Sequence, residues 1–318
     1  MIAFGPVPSR RLGRSLGVNN IPPKACTYSC VYCQLGRTSK MQVARQAFYD
    51  PSTVVREVQG KIREAKEAGS RVDFVTFVAD GEPTLDFNLG EEIAALKSLG
   101  LPVAVITNGA LIWRKDVRKD LENADWVSLK VDAVREEIWH SVDRPQGSLR
   151  LASILDGMAA FARDYRGTLV TETMLVEGVN DSADHLGELA DVLAQLDPAW
   201  AYLAIPTRPP AEAWVRAPSE EIVNRAYQTF CEKLKRVECL TGYEGNAFDF
   251  AGDVERDLLS ITAVHPMRRD AVDAFLARAG EDWSVVRELI DQDRLVEVSY
   301  EGQDFYIRKL NRVQTAYE

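Results

Sequence analysis

The sequence predicts an α/β fold built on a parallel sheet, followed by a small C-terminal module resembling a winged helix. Two observations carry this. From about residue 50 to residue 237, apolar runs of strand length alternate with segments of helical periodicity. From residue 254 the alternation gives way to three helical patterns and two β-like runs. The chain has 318 residues, 46% of them hydrophobic, enough for one large core and an appendage.

A short strand over about 15–20 opens the series. Pro51-Ser52 then starts a helical pattern with apolar Val54, Val55, Val58, Ile62 and Ala65, closed by Gly69. Strands follow over 72–79, 102–106, 126–131, 169–175 and 201–205. Helical patterns at 89–99, 112–121, 154–165 and 182–196 separate them, and a last helix covers 219–237. Strands alternating with helices at this spacing make βαβ units, six in all, over residues 1–250. Ligands in such sheets bind at the C-terminal ends of the strands. Beyond them, helices at 254–261, 268–279 and 283–291 precede a hairpin of 295–300 and 305–309, defining a module over 254–318.

A net charge of −10 argues against broad coating of nucleic acid. The C-terminal module, with nine basic and thirteen acidic residues, is a poor phosphate binder and reads as a protein contact, a gate or a cap. Residues 1–49, in contrast, hold seven of the 38 basic residues and no Asp or Glu. Such a run around cysteines is expected to favour thiolates and anionic ligands. No apolar run is long enough to span a bilayer and no secretory signal is evident, so a cytoplasmic, reducing setting is expected. There a tight cysteine group points to metal or redox chemistry, not disulfides.

That group is Cys26, Cys30 and Cys33, spaced CxxxCxxC. A short loop can wrap three thiolates around one iron–sulfur cubane and leave one iron open to a small molecule. The alternative is a zinc site with a distant fourth ligand. Cys231 and Cys239 lie about 200 residues away in a predicted helical region and read as small buried hydrophobes. The strand at 126–131 alternates so that Ser128, Lys130 and Asp132 share one face. An inward Lys130 needs a partner, either Asp132 or a bound ligand. Glu172 faces either the lumen or the surface. No general-base histidine stands out: His140, His185 and His265 are scattered.

CxxxCxxC with Tyr32 before the last cysteine resembles the signature of the radical S-adenosylmethionine (SAM) superfamily. Segments 4–13, 81–85, 107–109, 178–181, 205–210 and 242–246 add a resemblance to iron–sulfur oxidoreductases grouped with the tRNA wybutosine-type enzymes. The resemblance covers residues 1–250 and implies a partial (β/α)6 barrel with SAM across its open top. It implies a 4Fe–4S cluster on Cys26, Cys30 and Cys33. Tyr32, Gly81, Glu82, Pro83, Thr107, Asn108, Ser128, Lys130 and Asn180 then fall at the cofactor, with Glu82 on the SAM ammonium, Asn180 at the nucleoside and Lys130 meeting the SAM carboxylate or substrate. It further implies reductive cleavage of SAM to a 5′-deoxyadenosyl radical, with electrons from a flavodoxin or ferredoxin. The radical abstracts hydrogen from a substrate that is RNA, a protein or a small molecule. A non-enzymatic metal module is the remaining alternative. No second cysteine set like that of the archaeal wybutosine enzyme is present.

Overall fold

The computed structural model describes residues 2–241, 253–264 and 266–309. The 242–246 motif and His265 lie outside them.

The chain opens with an antiparallel hairpin, β1 (Ala3–Ser9) and β2 (Gly13–Val18). Two short parallel strands, β3 (Ala25–Cys26) and β4 (Lys40–Met41), bracket the cysteine loop. Helix α1 (Pro51–Glu67) starts at Asp50, whose side chain accepts from the Ser52 amide, with Pro51 in the first turn. Then follow β5 (Phe74–Phe77), α2 (Leu89–Lys97), β6 (Val103–Thr107), α3 (Lys115–Leu121), β7 (Trp126–Lys130), α4 (Glu136–Val142), α5 (Leu151–Asp164), β8 (Thr168–Met174), α6 (Ala183–Leu196), β9 (Trp200–Ala204), α7 (Glu220–Cys231) and β10 (Val237–Leu240).

One eight-stranded sheet runs in the order β1-β2-β5-β6-β7-β8-β9-β10. Every neighbouring pair after β1–β2 is parallel. The six expected strands are there in sequential order, and the sheet is one strand longer at each end. β1 escapes sequence reading because Pro6 and Pro8 disguise it; prolines are tolerated there because β1 is an edge. β10 corrects the expected last helix. That helix ends at Cys231, and Val237–Leu240 form a strand beside β9. Cys239 is therefore a strand residue, and Cys231 is exposed instead of buried. The helix expected at 112–121 begins only at Lys115, after a turn. A single cavity is lined from Phe4 on β1 to Leu240 on β10, so the sheet curls into a partial barrel without closing.

The remaining segment builds α8 (Val254–Val264), β11 (Met267–Arg268), α9 (Arg269–Ala279), α10 (Ser284–Asp291), β12 (Leu295–Tyr300) and β13 (Gln303–Arg308). Its sheet has the order β11-β13-β12. It has a core of its own, including Leu258, Val272, Phe275 and Leu289, against which Val7 of β1 packs. Arg256 reaches Glu64 at 3.1 Å and Lys61 stands 3.9 Å from Asp257, joining α8 to α1.

Candidate active site

Cys26 ends β3, Cys30 and Cys33 lie on the loop between β3 and β4, and all three line the cavity. Backbone contacts hold it from two sides. The Ser29 and Val31 amides donate to the carbonyls of Asp143 and Val142 at 3.0 and 2.9 Å. On the other side the Lys24 amide donates to the Asp80 carbonyl at 2.6 Å and the Glu82 amide to the Ala25 carbonyl at 3.0 Å. Gly81 sits between these bonds. A Cβ there would stand 1.9 Å from the Ala25 carbonyl oxygen, so only glycine lets the two backbones meet.

Glu82 is 1% exposed. Its Oε1 accepts from the Thr84 amide at 3.0 Å and from the hydroxyls of Thr84 and Thr107, each at 2.6 Å; its Oε2 accepts from the Asn108 amide at 2.8 Å. The carboxylate is filled by donors of the chain itself. It serves as a clamp between the β5 and β6 loops and lines the cavity. Pro83 is buried behind it in a short 3-10 turn. Thr107 also accepts from the Gly109 amide at 3.0 Å. Asn108 donates to Thr27 at 2.8 Å and lies 3.6 Å from the Cys26 sulfur. The TNG motif thus reaches the cysteine loop.

Around the thiols the electrostatics reverse the sequence expectation. Burial, with Glu82 adding to it, pushes the Cys26 thiol up to about 12. Burial and Asp143 push Cys30 up as well. The basic run is mostly spent elsewhere: Arg37 pairs with Glu212, and Arg45 with Asp116 and Asp120. Lys24 alone among these approaches the thiols, 3.8 Å from Cys33, while donating to the Gly36 carbonyl. Buried thiols that resist ionisation need a cationic centre to become thiolates. The three sulfurs sit along one wall. No three His, Cys, Asp or Glu side chains among the described residues group tightly enough for one ion. Three thiols of one short segment opening onto one cavity fit three corners of a cubane.

Facing the thiols is a charged group sequence reading only half found. Lys130 Nζ stands 2.9 Å from Glu172 and 4.8 Å from the centre of the Tyr32 ring. Glu172 also pairs with Arg11. The expected Lys130–Asp132 pair is thus replaced by Lys130–Glu172–Arg11. Asp132 lies behind the wall, accepting from the Tyr32 hydroxyl and, at 2.7 Å, from the Met174 amide. Burial would lower Lys130, but Asp132 and Glu172 outweigh it and hold the ammonium charged. Burial would raise Glu172, but Lys130 and Arg11 hold it down at about 2. The partners of Arg11 and Asp143, 161 and 113 residues distant, could not be read from the sequence.

Ser128 shares the Lys130 face but is fully buried and off the cavity wall. Asn180 is also withdrawn from the cavity. Its amide donates to the Asp132 and Met174 carbonyls, both at 2.8 Å, and its oxygen accepts from the Val176 amide at 2.8 Å. It pins the loop after β8. The cavity measures about 390 Å³. It brings together the three cysteines, Tyr32, Gly81, Glu82, Thr107, Asn108 and Lys130, and leaves out Pro83, Ser128 and Asn180.

An open parallel barrel with three loop thiols over its lumen defines a cluster-bearing α/β enzyme, and comparison with known proteins narrows the class. The radical SAM superfamily profile matches residues 20–191, and the chain belongs to that superfamily. A UPF0026 protein of Methanocaldococcus jannaschii is 42% identical over 97% of this chain and 96% of its own length. Among solved structures, TYW1 with a lysine–pyruvate adduct bound superposes with a TM-score of 0.54 at 17% identity, covering 70% of this chain and 74% of that one. A radical SAM methyltransferase of Sphaerobacter thermophilus gives 0.53 at 18%, over 71% and 66%. At those identities the likeness is one of fold. Members of the superfamily bind a 4Fe–4S cluster and SAM.

Proposed function

We propose that this enzyme holds a 4Fe–4S cluster on Cys26, Cys30 and Cys33, binds SAM across the lumen, and abstracts a hydrogen atom from its substrate there. The observation that carries this is the opening of three separate loop thiols onto the one cavity that also contains Lys130 and the Gly81 and Asn108 loops. When bound, the reduced cluster and SAM supply a carbon-centred radical able to take hydrogen from an unactivated C–H bond. The chain's own groups do the rest. The Gly81-Glu82-Pro83 loop, pressed onto the cysteine strand at Gly81, would hold the SAM ammonium. Asn108 orients the first thiolate by its amide. Tyr32 forms the floor beneath Lys130. Leu12, Ala204 and Leu240 give the wall an apolar stretch that helps keep quenching water away.

The electron comes from a flavodoxin- or ferredoxin-type donor. Residues 1–250 form the catalytic unit, and 254–318 a module that covers the β1 edge. After anaerobic reconstitution and reduction, the protein is expected to show 4Fe–4S absorbance and to release 5′-deoxyadenosine from SAM. Cys30→Ala is expected to lose both. Zinc as the only metal in the reconstituted loop, or full cluster absorbance in Cys30→Ala, would overturn the assignment. An RNA substrate is tested by co-purification: bound RNA released by salt supports it, and RNA-free protein with full activity on a small molecule excludes it.

A further inference from the structure

The turn joining β1 to β2, Arg10-Arg11-Leu12, has no part in holding the cluster, yet it enters the cavity from the N-terminal end of the strands. Arg11 sits over two aromatic rings, 5.9 Å from the centre of Trp126 and 5.6 Å from that of Tyr202. Its side chain is 12% exposed. One terminal nitrogen is on Glu172, while Nε is buried with no acceptor. Buried guanidinium donors are rarely left unanswered. On the cavity wall Arg11 and Lys130 share one carboxylate, Glu172, while Asp132 behind it accepts from Tyr32 and Met174 and also helps hold the Lys130 ammonium charged. The wall as a whole carries Arg10, Arg11, Lys24, Lys130 and Arg208 against Asp80, Glu82 and Glu172. Of those acids, Glu82 is filled by four donors, and burial pushes Asp80 up to about 7. Basic side chains thus outnumber acidic ones on the cavity wall by five to three. Beside Arg11 the wall turns apolar, with Leu12, Ala204 and Leu240.

We propose that the substrate is a small organic anion, carrying a carboxylate or phosphate group that docks on Arg11 at the lumen floor while its apolar part lies along Leu12, Ala204 and Leu240. This rests on the radical SAM reading, since SAM would take the thiol end and leave the Arg11 end to the second ligand. A guanidinium fixed by stacking is a preorganised receptor for a planar oxyanion, with its entropy already lost in folding. Glu172 holds Arg11 and Lys130 in place, and the ligand uses their remaining donors.

The test uses reconstituted holoenzyme saturated with SAM, titrated separately with butyrate and with inorganic phosphate, and followed by tryptophan fluorescence and calorimetry. Saturable binding of one probe is expected, weakened tenfold or more in Arg11→Gln, with SAM affinity changed less than twofold. Tighter butyrate binding assigns a carboxylate, and tighter phosphate binding a phosphate. Arg11→Lys, which keeps the charge and loses the planar fork, is expected to fall between and guards against misfolding of the first variant. Probe binding equal in Arg11→Gln overturns the proposal. So does mutual competition between probe and SAM, which would assign the site to the SAM carboxylate. Absence of SAM binding in the unsubstituted holoenzyme would instead sink the underlying radical SAM reading.

Discussion

Glu82 shows how much one buried side chain can organise. Its four donors come from residues 84, 107 and 108, so the carboxylate ties the loop after β5 to the loop after β6. A neutral amide has one acceptor fewer and turns its nitrogen on a donor. Leaving a buried donor unsatisfied costs about 1–3 kcal/mol. Glu82→Gln is therefore expected to lower the melting temperature of the metal-free protein and to reduce cluster loading, because Asn108 loses its anchor. Thermal unfolding followed by circular dichroism checks it; an unchanged melting point would show that the clamp contributes nothing. The sequence disclosed that Glu82 follows a strand and has chemistry. It did not disclose that the carboxylate would be consumed locally, because Thr107 and Asn108 come within reach only when β5 and β6 pair. Lys130 was legible through alternation along β7, whereas its partner Glu172 required the β7–β8 register that sets the two residues side by side.

At the scale of elements, the alternation of β and α was readable because parallel strands buried on both faces are apolar runs. What escaped were the elements whose local signals mislead. β1 is broken by prolines, β10 continues a helical pattern, and α4 is only seven residues long. The packing of elements also yields two predictions. Gly81→Ala forces a methyl group against the Ala25 carbonyl, which must move together with Cys26. Cluster absorbance per chain is expected to fall by about half or more, with a lower melting temperature, since a backbone clash in a packed site costs on the order of 1–3 kcal/mol. Normal loading would show that β3 shifts freely. On α2, Glu92 is fully buried, and burial with Asp86 pushes it up to about 8. Asn20 lies beside its carboxyl, and a proton kept on Glu92 supplies a donor for the buried Asn20 Oδ1. The folded chain then holds a proton that the unfolded chain releases above its ordinary value of 4.5. Stability is expected to fall as pH rises between about 4.5 and 8, by roughly 1 kcal/mol per pH unit from this group. Glu92→Gln should flatten that slope in denaturant melts taken at pH 5 and pH 8. An equal slope in both proteins would place the effect elsewhere.

For the whole molecule, the unclosed sheet matters most. One edge, β1, is covered by α8, and Val7 belongs to both the cavity wall and the module's core. Across the mouth, Tyr300 donates to the Pro206 carbonyl at 3.4 Å, which sets the β12–β13 hairpin against the rim. Arg308 on β13 lies close enough to Asp80 to oppose the burial that raises it. A chain ending at residue 252 is expected to lose about 5 °C or more in melting temperature, or to aggregate, because Leu258, Leu259 and Ile261 no longer shield the β1 edge. Scanning calorimetry of the two chains decides it, and equal stability would make the module a mere passenger. The arrangement also sets a timetable for biosynthesis. α8, the cover of the first strand, is translated some 245 residues after it. At typical elongation rates that is a wait of roughly 10–50 s. Throughout it the nascent barrel presents an unguarded flank, which makes this stretch of synthesis the time when a chaperone is needed most.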